Sequence, residues 1–360
     1  MADANASLPA SAMAGRDRAA ADRDSPTDVA NAPSIATSAD LLDGWNRAQR
    51  EAVLRLVREL AARGDAESLL VAALLLPLAC HGPQDCNAES AERARLLAAA
   101  ARLAPEHPLI AFLQAETCML TKDCAAAYRR LATVDPDNLF AHLGLLSTAS
   151  QAGDPVALDR ALREAAAAPL YDAYIAELTA ELERALRRLP APSAVVRAQM
   201  AAAMGLRGPL DEDGARLLQA LGVSLATGIP PLQAVLQICR ADSVQQVPSR
   251  RAACLAVMTR MAASDTTLAR SIGLTRLVQL TAGTAAAAPW RERLREFAWV
   301  QERFLALQSM LDVDHLRLQT QRGEWVAMRE LLRRHGVPLQ PPAGWLPAQA
   351  RYRELLSGGG

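Results

Sequence analysis

The sequence predicts an all-α protein, and three observations carry that prediction. Hydrophobic residues make up 51% of the chain and aromatic ones only 4%. Alanine and leucine dominate, a mixture that favours closely packed helices over sheets. From Trp45 onward apolar residues recur at close to 3.6-residue spacing, the period of one helix face. Glycine, proline and capping aspartates interrupt that pattern about every 12 to 20 residues. No segment alternates apolar and polar residues as a half-buried strand would, so helical hairpins are expected along the whole length. A chain of 360 residues is long enough to bury a large interior, as two or three domains or as one elongated array.

Residues 1–40 read differently. "MADANASLPASAMAGRDRAAADRDSPTD" has no hydrophobic period and buries too little to offset its ordering entropy, so a disordered segment is expected. It also lacks the continuous apolar stretch of a secretory leader. The first helix follows in "WNRAQREAVLRLVRELAARGD", where Trp45, Ala48, Ala52, Leu56 and Leu60 form one stripe. Gly64 then suits the end of that helix, and Asp65 the N-cap of the next. "LLVAALLLPLAC" at 69–80 is apolar throughout but too short to span a bilayer, so it reads as a buried helix. No other segment resembles a membrane span.

The next hundred residues repeat a layout. In "RLLAAAARLAPEHPLIAF" (95–112) and "AYRRLATVDPDNLFAHL" (127–143), a helix ends on apolar residues, a proline follows, and another helix starts shortly after. At 136–168, "DPDN" is followed by Ala141 and Leu145, a Gly153-Asp154 turn, then Leu162 and Ala165. Those positions resemble the tetratricopeptide repeat, with His142 and Leu146 standing where the family carries an aromatic residue and a glycine. The resemblance covers about residues 66–168. It implies a right-handed array of antiparallel hairpins over 41–189, with a concave surface that takes a protein or peptide partner.

Beyond Pro190 the repetition fades but the helices continue. Segments near 193–206, 211–226, 230–240, 249–263, 266–282, 290–311, 323–335 and 347–356 are readable, making 190–356 a further all-helical region. Pro230 and Pro231 suit the first turn of one of them. Trp290, Leu294, Phe297, Phe304 and Leu311 step along another as a core seam. Residues 357–360 are expected to be a flexible tail.

Charge excludes little and favours little. Acidic and basic residues balance at 39 each, so no whole-protein field attracts nucleic acid or a membrane. Lys122 is the only lysine, and Arg-Arg pairs at 129–130, 187–188, 250–251 and 333–334 read as solvated helix faces. Site motifs are absent: there is no phosphate-binding glycine loop, His-Glu-x-x-His, Gly-x-Ser-x-Gly or Cys-x-x-Cys. Asp312, Asp314 and His315 fit a capped helix start better than a metal site. His81, His107, His142 and His335 show no ligand spacing. No residue is assigned to catalysis, to a cofactor or to a metal.

The six cysteines remain: Cys80, Cys86, Cys118, Cys124, Cys239 and Cys254. "CHGPQDC" and "CMLTKDC" share one frame, with five residues between the thiols. Structural zinc usually takes pairs two to four residues apart, and redox motifs pairs two apart, so neither fits well. A disulfide needs Cα atoms roughly 5–6 Å apart, which six residues of continuous helix exclude and a hairpin turn allows. Cys239 and Cys254 flank "RADSVQQVPS" and could face each other across a loop. Three suspected pairs follow, with buried thiols acting as small hydrophobes as the alternative.

The function expected first is non-enzymatic protein or peptide binding. An all-α enzyme with a site within 190–356 is a second reading, and a disulfide-stabilised envelope protein a third. The lack of a leader favours the cytoplasm, whereas oxidised cysteine pairs would favour the periplasm or the exterior.

Overall fold

Short local signals set the helix boundaries. Gly64 takes φ +73° and Asp65 caps the following helix, its carboxylate accepting from Ser68 N at 2.8 Å. Gly153 and Asp154 repeat the device, with Asp154 accepting from the amides of Val156 and Ala157. The computed structural model describes residues 38–80, 83–118, 124–229 and 231–357. Most of the expected disordered segment, residues 1–37, therefore lies outside the described residues, as do His81, Gly82, residues 119–123, Pro230 and the last three glycines.

The first half runs α1 (Ser38–Arg63), α2 (Ala66–Leu75), a 3-10 turn at Leu76–Ala79, α3 (Pro83–Leu103) and α4 (Pro108–Glu116). It continues with α5 (Cys124–Val134), α6 (Leu139–Gln151), α7 (Pro155–Ala167) and α8 (Ile175–Leu186). Then come α9 (Ala194–Ala203), α10 (Glu212–Thr227), α11 (Gln233–Ile238), α12 (Ala241–Gln246) and α13 (Arg251–Ala263). The chain ends with α14 (Thr267–Leu280), α15 (Ala287–Ala306), α16 (Val313–Arg322), α17 (Glu324–Arg334) and α18 (Ala350–Leu356). The described residues contain no strand, only an isolated parallel bridge between Asn138 and Leu170.

Helices adjacent in sequence lie side by side from α1 to α7 and again from α13 to α15. Two main cores result. The first gathers Val53 and Leu56 of α1, Leu75, Leu97, Ile110, Phe112 and Phe140, and is completed by Leu178 and Leu182 of α8. The second gathers Leu143 and Leu162 with Val257, Leu274, Leu294, Phe297 and Leu332. Helix α6 therefore serves both, and α7 packs on α13 while α8 packs on α2 and α10. Of the expected seam, Leu294 and Phe297 are fully buried, Trp290 and Phe304 only partly, and Leu311 lies beyond α15, which ends at Ala306. Between α13 and α14 the backbones approach so closely at Gly273 that a Cβ there would press on the Met258 carbonyl oxygen at 2.6 Å and overlap the Ala262 nitrogen.

Several expectations shift in detail. Helix α1 begins at Ser38, inside the segment read as disordered, and Ala48 of its stripe is exposed. Pro231 precedes α11 instead of opening it, because that helix starts at Gln233. "RADSVQQVPS" is no loop but holds α12 and a 3-10 turn at Pro248–Arg250. The arginine pairs are not merely solvated. Arg130 donates to the carbonyls of Ala101 and Pro105, Arg251 to that of Leu280, and Arg250 meets Asp159 at 2.6 Å. Arg130 and Arg251 thereby sit at the carbonyl ends of neighbouring helices.

Candidate functional site

The cysteines separate into two kinds. Cys118 and Cys124 are joined by a disulfide with Cα atoms 4.8 Å apart, and Cys239 and Cys254 by one with Cα atoms 5.4 Å apart. Cys80 and Cys86 are not bridged. The physical difference is where the second helix starts. Helix α5 begins at Cys124 itself, whereas α3 begins at Pro83, so Cys86 lies one turn inside a helix. Its thiol and that of Cys80 share a hydrogen bond instead, and burial, with that bond, pushes the Cys80 thiol up to about 12. So high a value leaves almost no thiolate at neutral pH.

Among the described residues the histidines do not converge. Asp312 accepts from His315 N at 2.8 Å, as a capped helix start requires, while His315 is buried against the Phe304 ring at 5.6 Å. That burial lowers its basicity. His142 places Nε2 at 2.8 Å from the Pro136 carbonyl. Among the described residues no group of histidine, cysteine and carboxylate side chains could hold a metal ion.

What stands out is a cleft of about 530 Å³ where residues 170–177 meet the loops before α14 and α17. One wall is built on Asn138, a fully buried side chain at the start of α6. Its Oδ1 accepts from Phe140 N and Asp172 N at 3.1 and 3.0 Å. Its Nδ2 donates to Asp135 Oδ2 and to the Asp172 carbonyl, both at 3.0 Å. Leu139 N donates to Leu170 O at 2.8 Å and Leu170 N to Asp137 O, stitching the two segments together. Tyr174 completes the wall in a left-handed conformation (φ 56°), its hydroxyl donating to Asp135 and its ring 4.5 Å from Phe112. A non-glycine residue holds that conformation only where surrounding contacts impose it.

The opposite wall is equally constrained. Gly323 adopts φ +85°, and a Cβ there would overlap that of Asp265. Trp325 N donates to the Asp265 carbonyl at 3.0 Å, and Glu324 reaches back to accept from Thr267 N at 2.7 Å, capping α14. Arg270 lies across the Trp325 ring at 4.7 Å and donates to the carbonyls of Ser264 and Ala263.

The two walls bring Asp172, Glu177, Asp265 and Glu324 to one cleft with a single lining guanidinium, Arg322. Burial holds the Asp172 carboxyl above its ordinary value, and Glu177, Asp135 and Asp265 add like-charge repulsion; only its bond from Tyr174 N opposes them. A buried arginine and glutamate also lie side by side in the first core's flank. There Arg93 keeps Nε and Nη2 buried without hydrogen-bond partners, beside Glu116, which burial pushes up to about 8. None of these residues was marked by the sequence patterns. The "DPDN" turn located the start of α6 but gave no sign of Asn138's long-range partners. No protein-family model, curated protein or solved structure matches this chain.

Proposed function

We infer that the protein binds a peptide or protein segment carrying a basic side chain, in the cleft between α8 and the loops that precede α14 and α17. The observation that carries this reading is the set of four carboxylates around one guanidinium, with Asp172 held against its own ionisation. An entering arginine or lysine would relieve that repulsion and regain ion-pair hydrogen bonds. A groove along the hairpins supports the reading less, because α8 packs against α2 and Tyr174 against Phe112, so chain segments cover those helices. Fixed walls favour binding, since little ordering is left to do when the partner arrives.

Selection of displayed random peptides on the full chain tests it. The enriched peptides should carry arginine or lysine, bind less tightly as salt is raised, and lose at least about tenfold affinity for Asp172→Asn/Asp265→Asn. Enrichment of peptides without a cation, or indifference to that variant, overturns the reading.

The two disulfides support an oxidising compartment as the place of action. Alkylation of the naturally produced protein without reductant should modify Cys80 and Cys86 and spare the other four cysteines. Six modified thiols would contradict it.

A further inference from the structure

A hollow of about 590 Å³ lies between α12, α14, α15 and α18 and is lined by Arg240, Arg276, Arg291 and Arg351. It is remote in charge and in lining residues from the acidic cleft. Two carboxylates also line it. Asp242 is matched by Arg240 in a two-pronged pair, Nε to Oδ1 at 3.1 Å and Nη2 to Oδ2 at 2.8 Å. Glu354 is exposed on α18. Four guanidinium groups against two carboxylates leave an excess of two positive charges around one hollow.

The arginines are held in place to different degrees. Arg276 is half-buried and clamped, Nη1 donating to Gln279 Oε1 at 2.7 Å and Nη2 to the Leu236 carbonyl at 3.2 Å. Burial and the neighbouring Arg240 charge both weigh against its protonated state. Arg351 is fixed by Gln349 and by the Tyr352 hydroxyl, which in turn meets Ser271 Oγ at 2.9 Å. Arg291 differs: its Nε is buried and has no hydrogen-bond partner. It makes no ion pair among the described residues, although it stands in the first turns of a long, ordered helix. A buried guanidinium nitrogen left unpaired is costly unless something else completes it. Val278, Ala282 and Leu355 supply an apolar surface beside the charges.

We propose that this cavity binds a small phosphate monoester, its dianionic phosphoryl group held by Arg291 and Arg276 and its organic body laid on the apolar side. Guanidinium forks match phosphoryl oxygens in pairs, and the two excess positive charges match a dianion better than a single carboxylate. The site is independent of the acidic cleft, and either can fail without the other.

Calorimetric titration of the full chain with phenyl phosphate tests the proposal, with phenol and inorganic phosphate as partial probes and phosphatidate-containing vesicles as the membrane-headgroup source. Phenyl phosphate, or the vesicles if the ester belongs to a lipid, should bind while phenol does not. Arg291→Gln should weaken that binding at least about tenfold. Its melting temperature without ligand should stay level or rise, because no ion pair is lost and the unpartnered buried nitrogen is removed. Arg291→Lys, which keeps the charge and loses the fork, should fall between. The proposal is overturned if neither phosphate source binds, or if binding is the same in Arg291→Gln as in the unaltered chain.

Discussion

The acidic cleft and the arginine cavity are hollows of similar size, about 530 and 590 Å³, with opposite charge. They differ more in how the charge is held. In the cleft, the acids do structural work: Asp172 accepts from Tyr174 N, Glu324 caps α14, and Asp265 abuts Gly323. In the cavity, Arg291 has no intramolecular ion pair among the described residues and sits on a helix that forms without it. A charged hollow can therefore be woven into the fold or hung upon it. Substitutions should cost stability in the cleft, and binding alone at Arg291 in the cavity.

The largest effect should come from Asn138→Ala. It removes four hydrogen bonds, one buried and three part-buried, and strands the amides of Phe140 and Asp172. A loss of about 3–5 kcal/mol in denaturant unfolding is expected; a loss under about 1 kcal/mol would mean the cleft wall is not held by this side chain. Gly323→Ala comes next, at about 2–3 kcal/mol, from its positive φ and the overlap with Asp265. A neutral result there would detach the second wall from the fold.

The third test concerns pH. The folded Asp172 carboxyl titrates above its ordinary value of 3.8, so within that interval the native state keeps a proton the unfolded chain has released. Stability contributed by this group is therefore lost as pH rises from 3.8 through the raised value. Glu116 adds a slope of the same sign between 4.5 and about 8. Asp172→Asn, which keeps an acceptor for Tyr174 N, should flatten the total slope without removing it. An unchanged slope would show that Asp172 does not carry the burden assigned to it. The smallest effect belongs to Arg291→Gln, whose unfolding free energy should stay within about 0.5 kcal/mol of the unaltered chain. A larger loss would erase the distinction between the two hollows.

The helical class and most boundaries were legible because their causes are local. Asp65, Asp154 and Asp312 each cap a helix through amides two or three residues away, and such signals survive in any window of sequence. Cys118–Cys124 was legible for the same reason, and Cys80–Cys86 failed on a three-residue shift in where a helix begins. The cleft was not legible. Asn138 meets Asp172 across 34 positions and Thr267 meets Glu324 across 57, and no periodicity records such pairings. Arg291 was hidden differently: where Lys122 is the only lysine, one more arginine carries no signal. Only its place on the cavity wall, together with the unpartnered Nε, marks it in three dimensions.

The dual allegiance of α6 has a consequence for dissection. Phe140 and Ala141 face one core while Leu139, Leu143 and Leu146 face the other, and α7 lies on α13. A fragment cut after residue 189 would retain α6 and α7 but leave their second face, with Leu162 and Ala165, in water. Such a piece should be sticky where the whole is not. Hydrogen exchange in α6 should report the opening of both halves at once, making that helix the place where they are bound into one cooperative unit.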